Sequence, residues 1–138
     1  MGVGVGNAVI TVDETADLDD AAEKIRISKT LDLAASCSSD NAVVLVDAIY
    51  DVMLAKLVAK GGYIMTPDDA AKFEAALWVN GTINAKIVAQ TPQFIAEFAG
   101  FSVPDDAQFL IIPETGIGPD HPFSGEKMTV TMALYRAK

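Results

Sequence analysis

Apolar and polar positions follow two patterns along this chain: short dense apolar runs, and longer stretches with apolar residues three or four apart. The first run, Ala8-Val9-Ile10-Thr11-Val12, lies between Gly6-Asn7 and Asp13-Glu14-Thr15, and its β-branched content predicts a strand. Leu18, Ala21, Ala22 and Ile25 then take the i, i+3, i+4, i+7 spacing of one helix face. Asp17 is placed to cap that helix, with Asp19, Asp20 and Glu23 near the positive end of its dipole, so a helix to about Leu31 is expected. Ala42-Val43-Val44-Leu45-Val46 is continuously apolar, the pattern of a strand buried on both faces.

Asp47 is the expected cap of a second helix, with Ile49, Val52, Met53 and Leu57 as its core stripe and Gly61-Gly62 as its stop. Thr66-Pro67 and Thr91-Pro92 each put proline at a first helical position, where its missing N–H costs nothing. Phe73, Ala76 and Leu77 line the third helix, and Gly100 ends the fourth. Phe109-Leu110-Ile111-Ile112 and the stretch from Met128 to Tyr135 read as further strands. Strands separated by helices imply βαβ crossovers. The expected fold class is therefore α/β, one domain with a largely parallel sheet and flanking helices.

Composition narrows the function classes. With 138 residues, 51% of them hydrophobic, the chain can build one core and is not disordered. No apolar run approaches the roughly 20 residues of a membrane span. Met1-Gly2-Val3-Gly4 lacks the basic and apolar regions of an export signal, and a single cysteine suits a reducing cytosol. A net charge of −9 argues against nucleic acid and anionic membranes as partners. An anionic ligand would need helix N-termini or basic groups from elsewhere.

Three segments are candidates for chemistry. Cys37, the one cysteine, sits among small residues, Ala34-Ala35-Ser36 before it and Ser38-Ser39 after it. Small neighbours let a substrate approach the sulfur, and a lone thiol has no intramolecular disulfide partner, which leaves apolar packing or reactivity as its use. The glycines of Gly2-Val3-Gly4-Val5-Gly6-Asn7 lack the spacing of a dinucleotide fingerprint and read as a flexible start. The stretch from Gly116 to Lys127 carries two prolines and His121, the one histidine, which reads as a solvated residue or as part of a site-lining loop.

Taken in order, these segments resemble the CoA-acylating branch of the aldehyde dehydrogenase superfamily, which includes acetaldehyde, propionaldehyde and sulfoacetaldehyde dehydrogenases. The resemblance is carried by Gly4-Val5-Gly6-Asn7, Val12 to Leu18, Ser28-Lys29-Thr30, Ser36-Cys37-Ser38-Ser39-Asp40, Leu77 to Gly81, Asn84 to Val88, and Gly118 to Lys127. It covers essentially the whole chain. It implies that residues 1–138 are part of a catalytic domain, the cysteine-bearing part, with dinucleotide-binding and oligomerisation segments outside it.

The implied reaction oxidises a short-chain aldehyde to an acyl-CoA through a cysteine thioester, with NAD or NADP as cofactor and coenzyme A as co-substrate. By the same resemblance Cys37 is the nucleophile, its N–H facing an oxyanion. Glu126 is the residue that hydrogen-bonds the nicotinamide ribose, and the backbone at Val3 and Gly4 approaches the nicotinamide amide. No metal is implied. Gly2 stands where hydrolytic members carry the glutamate of a Glu-Leu-Gly-Gly-Lys motif, so the thioester is left for coenzyme A. Leu31 and Leu33 replace a common phenylalanine and asparagine, and Val9 and Val130 a common proline, which bears on local packing. The implied parent enzyme is a homo-oligomer in the cytoplasm or a bacterial microcompartment. Two other readings are a non-catalytic folding or interaction module without cofactor binding, and a thiol hydrolase pairing Cys37 with His121.

Overall fold

The computed structural model describes residues 6–138, so Gly2, Val3 and Gly4, which the resemblance gives roles, lie outside the described residues. Strand β1 (Ala8–Val12) and helix α1 (Leu18–Thr30) form where the pattern places them. The Asp17 carboxylate accepts from the amides of Asp19 and Asp20, each at 3.1 Å, satisfying two donors that a helix start leaves open. Next come β2 (Asp40–Val46), α2 (Tyr50–Ala59) and β3 (Gly62–Ile64).

Helix α3 (Pro67–Leu77) starts in a capping box. Asp69 N–H donates to Thr66 Oγ1 and Thr66 N–H donates to the Asp69 carboxylate, both at 3.1 Å. Strands β4 (Trp78–Val79) and β5 (Thr82–Ile83) form a hairpin about Asn80-Gly81, whose φ values of 53° and 75° suit a mirror-image turn. Thr91 caps α4 (Pro92–Ala99), and Gly100 closes it in the left-handed region. Strands β6 (Phe109–Pro113) and β7 (Thr131–Ala137) complete the sheet.

Five strands pair in the order β1-β2-β7-β6-β3, and every pairing is parallel. The chain steps one way from β1 through β2 to β3, then returns through β6 to β7. Right-handed crossovers therefore assign α1 and α2 to one face and α3 and α4 to the other. Ile25, Leu45, Met53 and Leu57 join Phe73, Leu77, Ile95 and the β6 residues Phe109 to Ile111 in one buried core.

Several expectations need correction. Asp47 does not cap α2; it lies in a short 3-10 turn, Asp47–Ile49, and its carboxylate meets the Arg136 guanidinium at 3.0 Å. Val52 is 54% exposed, because Ile49, Met53 and Leu57, four residues apart, already form the buried line. Strand β2 is not covered on both faces. Val44 is half-buried, and Val9 on the neighbouring β1, opposite Ala42, is 54% exposed; both line an open groove. The last strand starts at Thr131, since Met128 takes a left-handed φ of 48° that a strand cannot hold. Strand β3 and the β4–β5 hairpin were not anticipated, although Asn80-Gly81 is a turn signal.

Candidate functional site

The adjacent strands β1, β2 and β7 are parallel, so their amino ends lie side by side at one edge of the sheet. Gly6 precedes β1, Cys37 precedes β2 and Glu126 precedes β7. Gly6 joins the other two. Its N–H donates to Glu126 Oε2 at 3.1 Å, and a Cβ on Gly6 would lie 2.9 Å from the Cys37 carbonyl oxygen and 3.6 Å from Glu126 Oε1. Only glycine lets the three segments close this tightly. Asn7 adds a side-chain bond to the Ser124 carbonyl at 3.0 Å.

Cys37 is exposed. Three consecutive residues before it, Asp32, Leu33 and Ala34, hold left-handed φ values of 48°, 52° and 61°, a sharply coiled exit from α1. Ser39 N–H donates to the Ser36 carbonyl at 3.0 Å, and the Ser36 and Ser38 hydroxyls bond at 2.8 Å, closing a tight turn around the sulfur. Among the described residues no hydrogen bond takes up the Cys37 amide. The apolar-packing alternative therefore does not hold for this thiol.

Beneath the two loops lie two buried lysines to which sequence reading gave no role. Lys127 Nζ donates to the carbonyls of Phe123 at 2.6 Å and Gly125 at 2.9 Å, and Lys29 Nζ donates to the Asp40 carbonyl at 2.8 Å. Neither meets a carboxylate within ion-pair distance among the described residues. Burial pushes both amines down to about 7; the charge of Lys127 depresses Lys29 further, while Asp40 opposes the shift at Lys29 and Glu114 opposes it at Lys127. A buried lysine looks like a surface lysine in sequence, so no local signal could have found either.

His121 is not simply solvated. Its Nδ1 lies 2.9 Å from Glu114 Oε1 at the end of β6, and its ring covers Gly116, where a Cβ would overlap it. Burial pushes the Glu114 carboxyl up, but the Thr115 and Gly116 amides and the His121 ring together outweigh it and hold it below the usual range. The Tyr135 hydroxyl donates to the Gly116 carbonyl at 3.0 Å. His121 thus straps the loop, and no hydrogen bond links it to Cys37 among the described residues.

Glu126 stands on the wall of an open groove of about 860 Å³. Val9, Val44, Trp78, Ile117 and Tyr135 give it an apolar lining, to which Asn7 and Glu126 add polar groups. Among the described residues no group of His, Cys, Asp and Glu could hold a metal ion, and no helix is long and apolar enough to cross a membrane.

No protein-family model matches the chain. It is 44% identical to the sulfoacetaldehyde dehydrogenase (acylating) of Cupriavidus necator over 99% of its own length and 28% of that protein. It is 40% identical to the bifunctional aldehyde-alcohol dehydrogenase of Escherichia coli K12 over 100% of its length and 16% of that protein. Its structure matches an acetylating aldehyde dehydrogenase from Geobacillus thermoglucosidasius with a TM-score of 0.96 at 37% identity, covering 99% of this chain and 30% of that one. The fold is an α/β fold like that of acylating aldehyde dehydrogenase domains. The chain is similar along its whole length to acylating aldehyde dehydrogenases and spans less than a third of the length of the relatives it matches.

Proposed function

We propose that residues 1–138 are the cysteine-bearing part of the catalytic domain of a CoA-acylating aldehyde dehydrogenase acting on a short-chain aldehyde. The observation that carries this reading is the meeting of Cys37 and Glu126 across Gly6, with its 3.1 Å bond. The Cys37 sulfur adds to the aldehyde carbon, giving a tetrahedral thiohemiacetal whose oxyanion the Cys37 amide can take. A nicotinamide cofactor, when bound, supplies the hydride acceptor that turns this adduct into a thioester. The thiol of coenzyme A then attacks the thioester carbonyl, releasing acyl-CoA and regenerating Cys37. With glycine at position 2, no carboxylate at that point activates water against the thioester.

The residues present fit the ribose end of such a cofactor. One Glu126 oxygen is already held by Gly6, which orients the carboxylate as an acceptor in the lining of an open groove. Val3 and Gly4 are proposed as the backbone beside the nicotinamide amide. In the whole protein, with aldehyde, NAD or NADP and coenzyme A, Cys37→Ala is expected to abolish acyl-CoA formation, a loss of roughly 10³-fold or more. Acyl-CoA formed at an undiminished rate by that variant would overturn the reading.

A further inference from the structure

The loop that carries Glu126 is held from inside by the residue next to it. Lys127 is fully buried, and its amine binds two carbonyls of the turn before it, those of Phe123 and Gly125. Its amide donates to Asn41 Oδ1 at 3.0 Å across 86 residues of sequence, and Asn41 is only 4% exposed. Asn41 follows Cys37 by one short turn, and its preceding neighbour, Asp40, is anchored on both backbone groups. Lys29 Nζ holds its carbonyl, and its N–H donates to Ser28 Oγ at 3.4 Å.

Burying an amine without a carboxylate costs free energy that a methionine of similar volume would not. The hydrogen bonds that offset this cost all go to the Glu126 loop. A lysine here is therefore explained by loop shape and not by filling the core.

We propose that Lys127 and Asn41 are the positioning pair of this site, shaping the Phe123–Gly125 turn and hanging it on the cysteine loop so that Glu126 meets Gly6. Neither touches the reacting atoms; both act through Glu126. A neutral amine keeps two N–H donors, as many as the two carbonyls need, so the clamp works in either protonation state. The inference rests on the reading of Glu126 as the contact to the cofactor ribose.

The test is a double-mutant cycle in the whole protein, reading KM for the nicotinamide cofactor and kcat at saturating cofactor. Lys127→Met and Glu126→Gln are each expected to raise that KM about tenfold with kcat within threefold, and the double variant to be no worse than Glu126→Gln alone. A Lys127→Met variant whose KM is unchanged while that of Glu126→Gln rises, or whose effect multiplies with that of Glu126→Gln, overturns the inference. An unchanged KM in Glu126→Gln overturns the Glu126 reading instead. If Lys127→Met does not fold, Asn41→Ala enters the same cycle, with a rise of about threefold to tenfold expected and an unchanged KM overturning the pair.

Discussion

Gly6 and Glu126, 120 residues apart in sequence, are joined by a 3.1 Å hydrogen bond from the Gly6 amide to the Glu126 carboxylate, with the Cys37 backbone pressed against the same glycine. This bond ties the amino end of the first strand to the loop before the last. Its consequence is that a methyl group at position 6 cannot be absorbed by a rotamer change.

Gly6→Ala is expected to push the Cys37 carbonyl away and cost about 1–3 kcal/mol of stability. Denaturant unfolding measures the loss. Because Cys37 is the only cysteine, the rate of thiol labelling in the 138-residue chain reports the displaced loop directly. An unchanged labelling rate and midpoint would contradict the close approach.

Gly116 and His121 make a second contact of this kind. Gly116→Ala must displace the imidazole and break its bond to Glu114. The expected loss is about 1–3 kcal/mol, and His121→Ala should remove most of the added penalty. Additive losses in the double variant would show that ring and glycine do not meet.

The two buried lysines set a pH dependence. Their folded values of about 7 lie below the ordinary 10.5, so between those limits the unfolded chain binds protons that the folded chain does not. Stability from these groups therefore rises as pH increases from about 7 to about 10.5, by up to about 1 kcal/mol per pH unit for each lysine, and is flat below 7. Unfolding midpoints at pH 7, 8 and 9 should climb more steeply in the parent chain than in Lys127→Met. Equal slopes would count against the depressed value.

Phe73, fully buried on α3, stacks on Phe123 with ring centroids 5.9 Å apart. Phe73→Ala is expected to cost about 3–5 kcal/mol. Since Phe123 also offers its carbonyl to Lys127, the same variant should speed amide exchange at Ser124 and Gly125. Exchange confined to α3 would separate core packing from loop order.

Much of the fold was legible because its signals are local. Asp17, Thr66 and Thr91 cap helices through bonds to amides two or three residues away, so their neighbours suffice to reveal them. Asp47 failed as a cap because its partner, Arg136, lies at the far end of the chain. Cys37 stood out as the one thiol among small residues and took its nucleophile role, like the role of Glu126, from resemblance, whereas Lys29, Asn41 and Lys127 went unassigned. Nothing near them in sequence announces that their partners are buried carbonyls and amides.

The sequence by itself determined the succession of strands and helices, the caps that start and stop them, and the small-residue setting of the single thiol. Period, capping and turn chemistry act over a few residues and leave their mark there. Only the tertiary structure decided that β7 inserts between β2 and β6. That choice brings the amino ends of β1, β2 and β7 together, and with them Gly6, Cys37 and Glu126. Strand order depends on which apolar faces can be buried at once across the whole chain, and no short window of residues records it.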